Sequence, residues 1–328
     1  MAGKNVFVTG GAGYVGAVLV PELLSIGCRV TVYDLMIYGE EVLPKHPNVR
    51  IIKGDLRDEK LLDNVLPGHD SVIHLACISN DPSFELNPSL GKSINLDAFR
   101  PLVVKSRNCG VERFIYASSS SVYGVKEESD IHEDMFLEPL TDYSKYKAEC
   151  EKILLEYEST DFTTTIIRPA TVCGYSPRQR LDVVVNILTN LAFHNRRITV
   201  FGGSQLRPNI HIADMISCYT TMLFADEQKV SGQIYNVGYE NQSVQEIAET
   251  VRSIIGDDVE LINTPTDDNR SYHISSKKIK AELGFEARYD IKDAVVELRE
   301  AFQVGKLPDS LTDEKYYNIK RMQALHLT

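Results

Sequence analysis

The run Lys4-Asn5-Val6-Phe7-Val8-Thr9 is β-rich and ends at Gly10-Gly11-Ala12-Gly13-Tyr14-Val15-Gly16. A helical pattern follows from Val15 to Ile26, Gly27 ends it, and Arg29-Val30-Thr31-Val32-Tyr33 is a second strand closed by Asp34. That order is a βαβ unit. Glycines at 10, 13 and 16 permit a tight turn, the close approach of a pyrophosphate, and helix–strand packing, and Tyr14 and Val15 share that loop. Asp34 stands about 20 residues on, where an acid bonds a ribose 2′-hydroxyl. Its carboxylate would repel a 2′-phosphate, so the unit predicts NAD rather than NADP.

The alternation of strand and helix continues. Val49–Lys53, Ser71–Ala76, Arg113–Ala117 and Thr163–Pro169 read as strands, with helices around 58–65 and from about Pro88 to Asn108. The pattern predicts an α/β fold, a Rossmann-type doubly wound parallel sheet, with a smaller C-terminal substrate-binding domain. A length of 328 residues allows one large or two ordinary domains. The character shifts after Gly174, so residues 1–175 form the expected cofactor domain, with a later contribution from about 208–238, and 176–328 mainly the second. There, helices are expected over Leu181–Asn195, 243–255 and 290–303, and short strands at 198–201 and 233–237; Arg207–Asp214 leads into another helix. The tail from Gly305 reads as polar, partly disordered or draped over the surface.

Several positions in these runs suit a ligand. Asp55, before Leu56, could reach an adenine or could cap the helix around 58–65. Leu75 and Ala76 end their strand as cofactor-binding candidates and run into Cys77-Ile78-Ser79-Asn80-Asp81-Pro82, where small residues let a nicotinamide half lie over the strand ends. His74 reads as a packed strand residue. Asn95 could hold the backbone of the catalytic strand or sit on a solvated helix face. The strand Arg113–Ala117 ends in Ser118-Ser119-Ser120-Ser121, and serines are poor sheet formers, so a site or a polar turn is expected there.

Asp142-Tyr143-Ser144-Lys145-Tyr146-Lys147 opens another helix, which Thr141 or Asp142 can cap. Tyr143, Tyr146, Cys150, Ile153, Leu154 and Tyr157 recur at helical spacing. Tyr143 and Lys147 are i and i+4 neighbours. A free phenol, with a pKa of about 10, is a poor base at neutral pH. A nearby ammonium lowers that pKa, and the pair can then take a proton from a sugar or alcohol hydroxyl.

With these residues together, the chain resembles the extended short-chain dehydrogenase/reductases, specifically the NAD-dependent epimerase/dehydratase family acting on nucleotide sugars. The resemblance rests on Gly10/Gly13/Gly16, Asp34, Asp55-Leu56, His74-Leu75-Ala76, Ser119 before Val122-Tyr123-Gly124, and Tyr143-x-x-x-Lys147. Arg168-Pro169, Arg207 to Asp214 and Arg270 extend it into the second domain. It implies a catalytic set of Ser119, Tyr143 and Lys147, with Tyr143 taking the hydroxyl proton, Lys147 holding the nicotinamide ribose, and Ser119 bonding the reacting oxygen. It implies that Asn80, Ser119, Ser120 and Thr171 face the sugar, and that Arg207 and Arg270 hold a diphosphate. Leu35 and Thr171 stand where many members carry Asn. Ser120 and Ser121 replace the acidic pair of the 4,6-dehydratases, and hydroxyls do not ionise usefully near neutral pH.

The resemblance therefore implies NAD-dependent oxidation and reduction of a nucleotide-diphosphate sugar, with C4 epimerisation expected first. A net dehydrogenase or keto-reductase, or a dehydratase, is the neighbouring alternative, and a non-catalytic NAD-binding sensor is the alternative of another class. A formal net charge of −11 opposes nucleic acid as a partner. The six cysteines are scattered without a C-x-x-C and read as reduced core residues, not metal ligands. No run approaches the roughly 18 apolar residues of a membrane span, and no signal-peptide pattern precedes the first strand, so a cytoplasmic protein is expected. The helices at about 92–108 and 143–158 show more apolar and aromatic positions than one face needs, and family members often pair them, so a homodimer is expected.

Overall fold

Five of the strands of the large sheet are buried at nearly every position, and strands buried on both faces need cover on both. The computed structural model, which describes residues 3–128, 130–266, 271 and 273–327, has that architecture. In chain order the strands are β1 (Asn5–Thr9), β2 (Arg29–Asp34), β3 (Val49–Lys53), β4 (Ser71–His74), β5 (Arg113–Ala117) and β6 (Thr163–Pro169). There follow β7 (Thr171–Cys173), β8 (Arg197–Phe201), β9 (Leu206–His211), β10 (Gln233–Val237), β11 (Glu240–Ser243) and β12 (Glu260–Thr264). A seven-stranded parallel sheet has the order β10-β6-β5-β4-β1-β2-β3. Val6 and Val8 of β1 pack with Leu19 and Leu23 on one face, and Phe7 packs with Tyr33 and Phe114 on the other. The strand order reverses at β1, between β2 and β4, and ligands of such sheets bind outside the carboxyl ends at that point.

Four short strands, β7, β9, β11 and β12, go beyond the sequence reading. Three of them form a separate sheet, β11-β9-β7, and β12 pairs with the expected β8. Their residues are too few and too polar to show a strand period; β11 is Glu240-Asn241-Gln242-Ser243. No helix among the described residues is long and apolar enough to cross a membrane.

The helix expected from Pro88 to Asn108 is interrupted. Pro88–Lys92 passes through a π-helical turn, Ser93–Asp97, into Phe99–Asn108. The wide turn presents Asn95 inward, where its amide clasps Ile78 through both backbone groups, at 2.9 and 3.0 Å. Asn95 thus holds the loop after β4 rather than a catalytic strand, which accords with the preference of such turns for functional sites. On the helices Phe99–Asn108 and Asp142–Leu155, Phe99, Leu102, Val103, Cys150, Ile153 and Leu154 are buried, while Val104, Tyr146 and Leu155 are half-buried. None of the strongly exposed large hydrophobic side chains of the described residues lies on either helix.

The tail is a correction. Leu307 and Tyr316 are buried with Leu181, Leu298 and Phe302. The helix Asn318–Leu325 then places Met322 in the core cluster of Leu90 and Ile94. Apolar residues this widely spaced gave no readable period.

Beneath the ends of β5 and β6 lies a buried ion pair. Arg168 on β6 holds Glu151 of helix Asp142–Leu155 with Nη2···Oε2 at 2.7 Å, both side chains 3 % exposed. Arg168 also donates to the Tyr123 hydroxyl at 2.7 Å, Tyr123 donates to the Asn236 side chain at 2.7 Å, and Ser118 donates to Glu151. Every charge is therefore hydrogen-bonded, as burial demands. Arg168→Met strands the Glu151 carboxylate and is expected to cost about 3–5 kcal/mol by urea unfolding. Adding Glu151→Leu should recover part of that loss; an additive double variant would show that the two groups are not coupled.

Candidate active site

A cleft of about 870 Å³ opens over the carboxyl ends of the large sheet, toward the upper end of the roughly 300–1,000 Å³ usual for small-molecule sites. β1 delivers the glycine loop to its floor. Gly10 has φ 73°, and a Cβ there would lie 2.6 Å from the Ala76 nitrogen, so both the conformation and the approach to β4 need glycine. A Cβ at Gly16 would meet Gly11 at 2.5 Å, where the helix Gly16–Ser25 packs on its strand. At Gly13 a Cβ would meet the Gly10 carbonyl at 3.1 Å and nothing else beyond its chain neighbours among the described residues; the cradle is open toward the cleft, as a phosphate requires.

Asp34 ends β2. Its two oxygens accept from the Ala12 amide at 3.0 Å and the Met36 amide at 2.8 Å. Each oxygen keeps capacity for a further hydroxyl donor. Burial pushes the carboxyl pKa up, while these amides and the charge of Arg178 oppose the rise. Val15, Leu56, Leu75 and Ala76 line the same end. Asp55 also lines it, but its carboxylate holds Arg57 at 2.7 Å; the helix cap is Asp58, not Asp55. Tyr14 turns its hydroxyl to the Gly174 carbonyl at 2.7 Å, and Ser176 donates to the Tyr14 carbonyl at 2.8 Å. Tyr14 thus ties the glycine loop to the segment after β7. The glycine cradle and a buried acid with hydroxyl-accepting capacity fit a dinucleotide.

Ser119, Tyr143 and Lys147 line the same cleft. Thr141 caps the helix Asp142–Leu155 in a capping box with Ser144 and also donates to Asp81 at 2.6 Å. Lys147 is buried, donates to the Ala117 carbonyl at 2.6 Å, and places its ammonium 5.9 Å from the Tyr143 ring centre. Ser119 caps the short turn Ser120–Tyr123, accepting from the Ser121 amide at 3.2 Å. Ser120 is buried beside it. Burial pushes the Tyr143 phenol well up; Cys77 and Asp81 add to this, and the Arg180 charge and a Ser119 hydrogen bond oppose it. The lowering expected from Lys147 is therefore not the leading effect: the ammonium is engaged by Ala117, and desolvation of the ring dominates. His74 packs on Tyr116, with Nδ1 2.7 Å from the Thr9 hydroxyl; burial holds its pKa down at about 3, so it is a neutral core residue.

Asn80, Thr171 and Arg207 line the cleft as well. Asn80 has φ 71° and ψ 156° and accepts from the Ser83 amide at 2.9 Å. That backbone is costly for a side chain, roughly 1–3 kcal/mol, and such strain concentrates at ligand sites. Arg270 lies outside the described residues. Sequence reasoning missed Arg178, Arg180, Tyr38, Cys77 and Asn318, all on the cleft wall. Cys77 was read as core and is half-buried at the site. The pair Arg178/Arg180 after Gly174 was a visible signal, but nothing in one sequence aimed it. Arg180 gives its Nε to Asp182 at 2.5 Å, and its charge reaches Tyr143.

The family described as NAD dependent epimerase/dehydratase matches residues 6–238. A dTDP-glucose 4,6-dehydratase of Streptomyces niveus is 27 % identical over 323 residues, 91 % of this chain and 93 % of that protein. A UDP-glucose 4-epimerase of Azospirillum brasilense is 26 % identical over 317 residues, 90 % of each. The UDP-glucose 4-epimerase of Thermus thermophilus, solved in complex with NAD, superposes with a TM-score of 0.81 at 25 % identity, over 91 % of this chain and 99 % of that one.

The position of Asp34 generates a cofactor prediction. NADH is expected to bind at least tenfold more tightly than NADPH, about 1.4 kcal/mol, and Asp34→Ser should narrow the gap. Nucleotide fluorescence titration measures both; equal affinities in the unmodified protein would remove Asp34 from that role.

Proposed function

The chain belongs to the NAD-dependent epimerase/dehydratase family, and from that premise we propose that it interconverts C4 epimers of a nucleotide-diphosphate sugar. The observation that carries the proposal is the set Ser119, Tyr143 and Lys147 gathered in the cleft, with hydroxyls alone at Ser120 and Ser121. Bound NAD supplies a hydride acceptor and donor. The Gly10–Gly16 loop and Asp34 would hold it.

The chain's residues handle the proton and the oxygen. Tyr143 takes the proton of the C4 hydroxyl and later returns it. Ser119 bonds that oxygen, and its own position is held by the Ser121 amide. Lys147 and Arg180 bring positive charge toward a phenol that burial otherwise keeps neutral. Arg207 is assigned to the substrate diphosphate. Epimerisation asks nothing further of the protein than room for the sugar to present its other face. Removal of water from C5 and C6 asks for a second acid and base, which Ser120 and Ser121 do not supply.

A second reading, 4,6-dehydration, has one observation in its favour. Asp81 lines the cleft and its charge acts on Tyr143, so one carboxylate lies within the site. Mass spectrometry of products from a panel of UDP-, GDP-, CDP- and dTDP-sugars separates the readings. Epimerisation yields a product of unchanged mass; a product lighter by one water would establish the second reading instead.

Tyr143→Phe is expected to fold and bind NADH normally and to lose about 10²-fold or more in turnover. Retention of most activity would refute the assigned role. Catalysis that needs ionised Tyr143 rises with pH through its pKa. Because the Arg180 charge lowers that pKa, Arg180→Met should move the rising limb of the kcat/KM profile to higher pH, and Arg180→Lys should restore much of it. An unmoved limb would separate Arg180 from the phenol.

A further inference from the structure

Arg178 is a buried charge that makes no salt bridge among the described residues, although the charges of Asp34 and Asp182 reach it. It follows β7, is 4 % exposed and lines the cleft. Its guanidinium carbon lies 3.5 Å from the Tyr38 ring centre, and Nη2 donates to the Asn318 side-chain carbonyl. Nε finds no acceptor among the described residues. The neighbouring carboxylate, Asp182, is taken by Arg180. A guanidinium this deeply buried is costly unless an anion completes its hydrogen bonds; burial also pushes its pKa down.

The contacts of Arg178 say which anion. Tyr38 lies just past Asp34, beyond the end of β2. Asn318 donates to Ser79 at 2.9 Å, in the loop after β4, and accepts from Tyr38 at 2.9 Å. Arg321, on the same C-terminal helix, donates to the Ile37 carbonyl at 2.6 Å. β2 and β4 are the two neighbours of β1. Arg178 and Asn318 therefore bridge the ends of the strands on either side of the glycine loop. A dinucleotide bound in such a fold rests its diphosphate on that loop, and a guanidinium is the side chain best matched to phosphate oxygens.

We propose that Arg178, braced by Tyr38 and by Asn318 of the C-terminal helix, is a second binding group for the diphosphate of NAD, facing the glycine loop across the cleft. The C-terminal helix is then part of the cofactor site, and release of the cofactor requires its contacts with Ile37, Tyr38 and Ser79 to break. Retention suits a reaction that hands its hydride back to the same sugar. The assignment rests on NAD as the cofactor and not on the C4 reaction.

The diphosphate of the sugar nucleotide has the same chemistry, so the test uses ligands that separate the two. Binding of ADP-ribose, adenosine, UDP and dTDP is measured by calorimetry or ligand-observed NMR for the full chain, Arg178→Met and Asn318→Ala. Arg178→Met should weaken ADP-ribose by about tenfold or more, and leave adenosine, UDP and dTDP within about twofold. Asn318→Ala should act in the same direction on ADP-ribose and spare adenosine. Equal loss of adenosine would reveal a structural role only, and loss confined to UDP or dTDP would assign Arg178 to the substrate; either overturns the proposal, as does unchanged ADP-ribose affinity. If Arg178→Met does not fold, the Asn318→Ala comparison decides alone by the same outcomes.

Discussion

The buried pair of Arg168 and Glu151 sets the geometry on which the site depends. Glu151 is two turns beyond Tyr143 on the same helix, and Arg168 is on the strand next to β5, whose end carries the serines. Ser118 donates to Glu151, Tyr123 receives Arg168, and Asn236 on β10 receives Tyr123. One buried charge pair thus joins the Tyr143 helix, the Ser119 turn and two strands. Removing both charges in favour of apolar groups can be nearly neutral for stability. The directed bonds of a guanidinium and a carboxylate, however, hold three elements in one orientation, which nonpolar contact does not specify as tightly.

Above that frame, the chemistry is a contest between desolvation and charge. The wall that shelters Tyr143 raises its pKa, and the same shelter magnifies the effect of nearby charges. Cys77 and Asp81 hold the phenol neutral, while Arg180 and Ser119 favour its ionised form. A formal charge of −11 describes the chain as a whole, while Arg178, Arg180 and Arg207 are gathered on the wall of one cleft beside Asp34, Asp81 and Asp182.

The cofactor end and the smaller sheets are joined by specific polar contacts. Tyr14 holds Gly174 and Ser176. Asn318 gathers Tyr38, Ser79 and Arg178. These bonds close one side of the cleft with residues from distant parts of the chain.

Local pattern determined much of this protein. The strand, glycine loop, helix and Asp34 follow one another within a few dozen residues, so steric need and periodicity reveal them without tertiary information. The i, i+4 relation of Tyr143 and Lys147 is likewise a property of a helix alone. Tertiary structure decided the rest. Short polar strands such as β11 exist only because β9 offers them a partner, and the sparse apolar residues of the tail gain meaning only against Leu181 and Leu298 for Leu307 and Tyr316, and against Leu90 and Ile94 for Met322. Arg178 and Asn318 are 140 residues apart, and no local period can bring such positions together. The direction of the Tyr143 shift belongs to the same class: sequence shows which charges are near along a helix, but desolvation depends on what the whole fold packs around the ring.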